Sequence, residues 1–352
     1  MRKLNLRTLA LGASLTLGVS LVHAQPPAAP PQNGPPPTGL VVGSGNYFSP
    51  IVADLDKAVA FYRDGLGLDP QGAPGDANDN AALRDMFGLP DAKLRWQIAR
   101  TPAVAGGVEI VEISAANGKP LERRAQDPGA VTLVATVRDL DATLARLERL
   151  GAPVVTRGGK PVAIGQSGLR IAVVKDPAGH FVEIAQPAQL PETQAPLTAN
   201  VVAMAVRVTV SDVAKAMSLY SDALGLKLKS APGEASGDAT VLGALGVDGG
   251  KYRVGLLQVP SSGFELRFIE FSGVDRKTVV GRLQDPGSTR MQIRVRDLDA
   301  AIAAFKRFGG EVVSTGGKAL ELPAGNNKLK VAIVRDPNNL FVVLIESPPP
   351  AG

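Results

Sequence analysis

The chain is poor in the side chains that most often do chemistry in proteins. Its 352 residues include no cysteine and two histidines, His23 and His180. The lack of cysteine excludes thiolate nucleophiles, disulfides and Cys-ligated metals. His180 ends the turn sequence Asp176-Pro-Ala-Gly-His and precedes Glu183 by three residues, so the two side chains leave an extended strand on opposite faces. We therefore predict that His180 is exposed in a turn, without a ligand or catalytic role.

Two other features bear on possible binding sites. Trp96 is the only tryptophan and lies in a predicted strand at 94–98, with Tyr252 in a comparable strand of the second half. A lone aromatic residue either belongs to the core or offers a stacking surface to a ligand, and both interpretations remain open. The Gly-Gly-Lys triplets at 158–160 and 316–318 lack the strand, loop and helix of a phosphate-binding motif.

The first 24 residues have the features of a secretory signal. Three basic residues precede an apolar run from Thr8 to Val22, and Val22-His23-Ala24 offers the small residues that a signal peptidase needs. The run is shorter than the ~20 residues of a membrane-spanning helix. Cleavage near Ala24 removes His23 and three of 38 basic residues, which leaves 35 against 33 acidic residues and a net charge of +2. We expect an exported protein, periplasmic or secreted, soluble after cleavage, with no nucleic-acid partner.

A short motif, Val52-Ala-Asp54-Leu-Asp56 in its first copy, occurs four times with variations and indicates how the rest of the chain is built. Its central residues are Asp54, Asp139, Asp212 and Asp297, at intervals of 85, 73 and 85 residues. Each Asp suits a helix N-cap, follows a strand and precedes apolar residues at helical spacing, and strands follow the helix. The sequence thus predicts four β-α-β-β-β units, duplicated in pairs with a period of 158 residues. The predicted boundaries are a Pro-rich linker at 25–38, domain 1 at 39–187, a linker at 188–198, domain 2 at 199–347 and a tail at 348–352.

The repeated segments resemble the vicinal-oxygen-chelate superfamily, which includes glyoxalase I, extradiol dioxygenases and bleomycin-resistance proteins. The matching segments are 54–68 and 176–184, which return as 212–226 and 336–345. The resemblance implies an α+β fold in which four units form two tandem glyoxalase-like domains with curved sheets around a cavity. It also implies a divalent cation in that cavity, which acts as a Lewis acid on two adjacent oxygens of a substrate.

The resemblance also implies where metal ligands stand in such proteins. In domain 1 the four ligand positions hold Tyr47, Glu112, Thr132 and Glu183. In domain 2 they hold Ala205, Glu270, Arg290 and Val343. Both ligand histidines are thus missing, and Arg290 is expected to place a fixed positive charge near Glu270, where a metal otherwise lies.

The pairing of the units decides which of these residues share a cavity, and the family has both arrangements. Paired within domains, the sets are those given above. Paired between domains, one cavity holds Tyr47, Glu112, Arg290 and Val343. The other then holds Ala205, Glu270, Thr132 and Glu183.

These residues lead to three expectations about function. The first is a protein that binds a small organic molecule in a sheet cavity, without a full catalytic metal site, with Tyr47, Thr132, Trp96, Glu270 and Arg290 as ligand-binding candidates. The second is a metal-dependent lyase, isomerase or dioxygenase that uses Glu112 and Glu183 as oxygen ligands or as a general base and its partner, with Tyr47 completing the site. The third is a non-catalytic interaction module. No cofactor is expected, apart from a possible divalent metal in domain 1.

Overall fold

The computed structural model describes residues 39–193, 195–324 and 327–347. The predicted signal peptide, the Pro-rich linker and the tail lie outside the described residues. Unit 1 contains β1 (Val41–Ser44), β2 (Ser49–Val52), α1 (Leu55–Ala60), a π-helical segment (Phe61–Leu66), β3 (Asp69–Pro70), α2 (Ala81–Phe87), β4 (Lys93–Arg100) and β5 (Gly107–Ser114). Unit 2 contains β6 (Val131–Val137), α3 (Leu140–Arg149), β7 (Val162–Ile164), β8 (Leu169–Lys175) and β9 (Phe181–Gln186).

The second half of the chain repeats this order. Unit 3 contains β10 (Val201–Thr209), α4 (Val213–Ser218), a π-helical segment (Leu219–Ala223), β11 (Lys227–Ser230), α5 (Ala239–Ala244), β12 (Lys251–Gln258) and β13 (Glu265–Ser272). Unit 4 contains β14 (Thr289–Val295), α6 (Leu298–Arg307), β15 (Glu311–Val312), a 3-10 turn (Thr315–Gly317), β16 (Leu320–Ala324), β17 (Asn327–Arg335) and β18 (Phe341–Glu346). The predicted α+β fold of four related units is confirmed.

The units pair between the two halves of the chain. Units 1 and 4 form a ten-stranded sheet in the order β15-β17-β18-β14-β2-β5-β4-β3, with β1 beside β14 and β16 beside β17. Units 2 and 3 form an eight-stranded sheet in the order β11-β12-β13-β10-β6-β9-β8-β7. The two halves of each sheet join through antiparallel pairs, β2 with β14 and β10 with β6. Of the two pairings that the sequence left open, the structure has the one between domains.

The repeated Asp begins a helix in every unit. Its carboxylate accepts a hydrogen bond from a first-turn main-chain N–H at 2.8 to 3.0 Å. Such an N-cap stabilises a helix by about 1 kcal/mol. The helices then bury one apolar face, which in α3 consists of Leu140, Leu144 and Leu147. The repeat in the sequence is thus a repeat of helix starts.

The core has three parts that position the candidate sites. The largest cluster contains residues of both sheets and of α1, α3, α4 and α6. A second cluster lies on the ten-stranded sheet under α2, and a third lies on the eight-stranded sheet beside α5. Each sheet therefore contributes buried residues to two of the three clusters.

Candidate functional site

A buried ion pair lies at the centre of the ten-stranded sheet. Glu109 Oε2 accepts hydrogen bonds from Ser49 Oγ at 3.0 Å, from Gln292 Nε2 at 3.0 Å and from Arg290 Nη2 at 3.1 Å. The side chains of Glu109 and Arg290 are each 1% exposed. The carboxylate thus has three donors, one of them charged, which is the condition under which a buried charge is tolerated.

Strand register determines which residues reach this centre. Ser49 lies opposite Arg290 across the junction of β2 and β14, while Ile51 pairs with Val111 of β5. Successive side chains of a strand point to opposite faces, so Glu109 shares the face of Val111. Glu112, one residue beyond Val111, points to the other face. The carboxylate at the sheet centre is therefore Glu109, and the prediction of Glu112 for that place is wrong.

The guanidinium of Arg290 is fixed by its contacts, but not all of its N–H donors have hydrogen-bond partners. Its guanidinium lies over the ring of Phe87, 4.6 Å from the centroid. Burial lowers the pKa of Arg290, and the charge of Glu109 opposes that effect. Nε and Nη1 have no hydrogen-bond partner among the residues that the structure describes. The cavity that Arg290 lines with Phe87 and Trp96 measures about 10 Å³, which is roughly the space of one water molecule.

A divalent metal does not fit this centre. Its donor set contains one carboxylate, one hydroxyl and one amide, and the carboxylate already neutralises a guanidinium that stands beside it. Over the described ranges, no three His, Cys, Asp or Glu residues form a group that would hold a metal. Arg290 does supply the fixed positive charge expected from the sequence. Its partner is Glu109 of unit 1, not Glu270, which lies in the other sheet.

Glu112 and Glu270 have a structural role that recurs in all four units. Glu112 Oε2 accepts from Leu55 N at 2.9 Å, and Glu270 Oε2 accepts from Val213 N at 2.9 Å. In the other units, Gln186 accepts from Leu140 N at 3.0 Å and Glu346 accepts from Leu298 N at 2.9 Å. These four side chains satisfy the first free N–H of a helix.

The eight-stranded sheet has a different set of charges at its centre. Glu183 Oε2 accepts from Arg207 Nη1 at 2.5 Å, and Glu265 Oε2 accepts from Arg267 Nη2 at 2.8 Å. The predicted candidate Thr132 is buried opposite Arg207. Glu183 thus lies in a different sheet from Glu112, so the prediction that these two carboxylates share one site is wrong.

The other positions predicted by resemblance are filled by packing. The Tyr47 ring stacks on Phe264 of unit 3, with centroids 4.2 Å apart, and burial raises the pKa of Tyr47. Ala205 and Val343 are buried in the eight-stranded and ten-stranded sheets, respectively. Ala205 and Val343 have no atom that could ligate a metal, and Tyr47 belongs to the core shared by the two sheets.

His180 is buried, which contradicts the prediction of an exposed turn. Its Nδ1 lies 3.0 Å from Asp176 Oδ2, and its Nε2 lies 2.9 Å from the main-chain oxygen of Ser288. Tyr62 donates its hydroxyl to the same Asp176 at 2.8 Å. The turn is buried because it packs against residues of unit 1 and of the segment before unit 4, which supply Tyr62 and Ser288 as hydrogen-bond partners. Burial disfavours the Asp176 carboxylate, yet His180 and Tyr62 keep its pKa below the ordinary value.

A larger space lies at the edge of the ten-stranded sheet. The loop 71–78 runs beside β4 and borders a chamber of about 270 Å³, lined by Gln71, Gly75, Asp76, Asn78, Trp96 and Gln97 among others. Trp96 lines both this chamber and the small cavity beside Arg290. Gln97 is 2% exposed. Its Oε1 finds no donor within the described part of the chain.

Comparison with known proteins agrees with this fold. The family model for the Glyoxalase/Bleomycin resistance protein/Dioxygenase superfamily matches residues 46–184 and 201–338. The chain belongs to this superfamily. Glyoxalase I from Zea mays has a similar structure, with a TM-score of 0.54 and 18% identity over 86% of this chain and 92% of that chain. A putative dioxygenase from Bacillus subtilis gives a TM-score of 0.51 and 13% identity over 89% and 87%. No curated protein matches the chain.

Sequence reasoning missed Ser49, Glu109, Gln292 and Gln97. Glu109 and Glu112 are three residues apart, so only one of them can face the sheet centre, and the sequence contains that signal. The choice between them depends on the register of β5 against β2. Gln97 gave no signal, because an unpaired amide oxygen on a buried strand is visible only in three dimensions.

Proposed function

We propose that this member of the superfamily is an exported protein that binds a small organic molecule at the ten-stranded sheet without using a divalent metal. The observation that carries the proposal is the chamber of about 270 Å³ between the 71–78 loop and β4, which Trp96 and Gln97 line. Ligand sites are typically concave, with an apolar or aromatic wall and a few polar groups that fix orientation. Among the residues that line the chamber, Trp96 and Ile98 are apolar, and Asp76 and Asn78 are polar.

The charge arrangement favours binding over metal-dependent turnover at this sheet. Arg290 and Glu109 neutralise each other where the superfamily resemblance implied a metal. Glu112 is engaged at the start of α1, and Glu183 is paired with Arg207 in the other sheet. The carboxylate pair on which the lyase, isomerase or dioxygenase alternative depended is therefore separated.

Binding is tested with two matched glycine variants. Gly75 lines the chamber, and a Cβ added there meets no atom within 4 Å; the same holds for Gly233, its equivalent 158 residues later. We expect Gly75→Leu to fill the chamber without disturbing the fold and Gly233→Leu to leave it open. A collection of small organic fragments is screened by the fluorescence of Trp96, the only tryptophan. Fragments that change the emission of the wild type and Gly233→Leu, but not of Gly75→Leu, support the proposal. A screen without any such fragment contradicts it.

Export and metal content have separate measurements. Within the described residues, none of the helices combines the length and apolarity needed to cross a membrane. We expect the protein recovered from outside the cytoplasm to begin at Gln25, as N-terminal sequencing would reveal. Elemental analysis after dialysis should find less than one equivalent of zinc, iron, nickel or manganese. Stoichiometric metal would overturn the metal-free part of the proposal.

A further inference from the structure

We infer that the Pro-rich segment 25–38 of this chain binds as a polyproline II helix in a groove on the second half of the chain, between α4 and the end of α6. The groove is separate from the chamber beside β4, and the inference does not depend on a ligand there. It rests on the lining of the groove, on the place where residue 39 lies, and on one position at which unit 3 differs from the other three units.

The groove is a largely apolar space on the surface of units 3 and 4. It measures about 420 Å³, and its walls come from α4, from Phe308 after α6 and from the turn at Pro337. Ala216 and Leu219 are buried in the wall, whereas Lys215 is exposed. The volume is within the roughly 300–1,000 Å³ of ligand sites, so the groove holds a short stretch of extended chain but not a folded element.

Unit 3 lacks a carboxylate that the other three units carry in the first turn of a helix. The second Asp of the repeated motif is Asp56, Asp141 and Asp299 in units 1, 2 and 4, and each forms an ion pair with a basic side chain at 2.8 to 3.5 Å. Ala214 stands at the equivalent position of unit 3 and lines the groove. Asp212 lines it too, but its carboxylate accepts from two first-turn main-chain N–H groups. The replacement by Ala214 removes a charge from the wall, which favours an uncharged partner.

Gly39, the residue that follows the Pro-rich segment, lies at the other end of the two helices that form the groove. It packs so closely on Gly225 that a Cβ on either residue would lie 2.4 Å from the Cα of the other. Gly225 follows α4 and its π-helical segment, and the Leu40 oxygen accepts from Arg296 N at 2.9 Å just before α6 begins. α4 therefore runs from the groove toward Gly39, and α6 runs from Gly39 toward the groove.

The segment is long enough to reach the groove and to lie in it. The ten residues of α6 span about 15 Å. A polyproline II helix rises about 3.1 Å per residue, so about five residues, 34–38, cover that distance and leave residues 25–33 for the groove. A segment tethered this closely has an effective concentration in the millimolar range. Even a weak contact therefore keeps the groove occupied.

The composition of the segment determines what it offers to a partner. Residues 26–31 read Pro-Pro-Ala-Ala-Pro-Pro, and no charged residue occurs in 25–38. Because a polyproline II helix has three residues per turn, Pro27 and Pro30 lie on the same edge. Proline has no N–H. The segment therefore presents apolar rings and carbonyl acceptors, with few donors.

The groove offers the complementary groups. The Phe308 ring and the Leu219 side chain provide apolar contacts, while Lys215 and Ser218 carry donors for carbonyl oxygens. Grooves with aromatic residues recognise Pro-rich segments through such contacts. A preformed polyproline II helix also loses little conformational entropy on binding. The groove and the segment thus match in charge, in polarity and in the kind of hydrogen-bonding group.

A nitroxide label on the segment tests the inference. The chain contains no cysteine, so Gln32→Cys creates a single labelling position in the full chain. Amide signals close to the label lose intensity in ¹H–¹⁵N NMR. We expect the amides of Leu219 and Phe308 to lose most of their intensity. Phe61 and Leu150, at the equivalent positions of the first half, should keep theirs.

Ala214→Asp distinguishes binding in the groove from mere nearness to it. The variant introduces the residue that the other three units carry, and an acidic residue is favourable in the first turn of a helix, so the fold is retained. The added carboxylate would face prolines that have no N–H to donate, and we expect it to weaken docking about tenfold. The signal loss at Leu219 and Phe308 should decrease accordingly. Asp56→Ala, the converse change in the first half, should leave that loss as it is.

Three results would overturn the inference. If Ala214→Asp leaves the signal loss unchanged, the tether at Gly39 alone explains the loss, and the segment does not lie in the groove. If ¹⁵N-labelled chain without nitroxide loses the same signals when it is mixed with nitroxide-labelled chain, the occupant belongs to a second copy. If Leu219 and Phe308 keep their intensity in both experiments, the groove has a different occupant.

Discussion

The two sheets carry different residues at equivalent positions 158 residues apart. At the centre of the ten-stranded sheet, neighbouring positions on β5, β2 and β14 hold Glu109, Ser49 and Arg290. The equivalent positions on β13, β10 and β6 of the eight-stranded sheet hold Arg267, Arg207 and Thr132. The first set closes into one ion pair with both side chains 1% exposed. The second forms two ion pairs, in which Arg207 is 12% and Arg267 is 31% exposed. Duplication therefore preserved the scaffold while each sheet acquired its own way of neutralising charge.

A similar contrast appears in the turns that precede the last strands of units 2 and 4. Asp176, before the last strand of unit 2, faces His180, Tyr62 and main-chain donors. Asp336, before the last strand of the ten-stranded sheet, accepts from Tyr220 and from two main-chain N–H groups, but Leu340 replaces the histidine. Burial raises the pKa of Asp336 to about 6. The Asp176 turn therefore contains a carboxylate beside a histidine, while the Asp336 turn contains a buried carboxyl group without a basic side chain at the equivalent position.

The two sheets should differ most in the free energy of unfolding that is lost when the central arginine of each is replaced. Arg290→Met leaves Glu109 buried without a charged partner, and we expect a loss of about 3–5 kcal/mol in the free energy of unfolding. Arg207→Met leaves Glu183 closer to solvent, so its loss should be at most about half as large. Urea unfolding followed by circular dichroism measures both.

The double variant Arg290→Met with Glu109→Gln is the control for this interpretation. It removes both charges, so it should recover much of the loss, because the penalty arises from an unpaired buried carboxylate. Equal losses for Arg290→Met and Arg207→Met would remove the distinction between the sheets.

The two turn aspartates should respond to pH in opposite directions. The folded-state pKa of Asp336 is above its unfolded value of about 3.9, so its contribution to stability is full below about pH 4 and disappears as the pH rises through about 6. The difference of about 2 pKa units corresponds to roughly 3 kcal/mol. Relative to the wild type, Asp336→Asn should therefore be more favourable for stability at pH 8 than at pH 4. Thermal unfolding of both proteins at the two pH values measures this.

Asp176→Asn is the matched variant for this comparison. The pKa of Asp176 is lowered, so its contribution is present above about pH 4 and disappears as the pH falls through the folded-state value. Asp176→Asn should destabilise the protein at pH 7. A stabilising effect there would mean that His180 does not compensate the charge.

The sequence predicted the repeat well and the site poorly, for a physical reason. Helix starts at Asp54 and its three equivalents depend on local hydrogen bonds, so local sequence sufficed to locate them. The ion pair joins Glu109 of unit 1 to Arg290 of unit 4, 181 residues later. The choice of that partner depends on pairing between the halves and on strand register, neither of which is encoded near either residue.

The exchange of His180 for Leu340 illustrates the same limit. A turn histidine beside a flexible-looking Pro-Ala-Gly sequence suggests exposure, and only the packing of three units around Asp176 buries it. Local composition describes the turn itself. It does not describe what the turn is packed against.

The smallest expected change in stability concerns the side chains that accept from the first free N–H of a helix, which occur in both sheets. Glu112 accepts from Leu55 N in the ten-stranded sheet, and Gln186 accepts from Leu140 N in the eight-stranded sheet. If the role of Glu112 is to satisfy that N–H, Glu112→Ala should cost about 1 kcal/mol, and Glu112→Gln should cost only a few tenths, because glutamine already makes the bond in unit 2. Urea unfolding of the two variants distinguishes this role from that of a ligand or base, in which the charge itself is required. A Glu112→Gln variant as unstable as Glu112→Ala would show that the charge matters, and the carboxylate would then have to be explained by its 3.6 Å approach to Arg95.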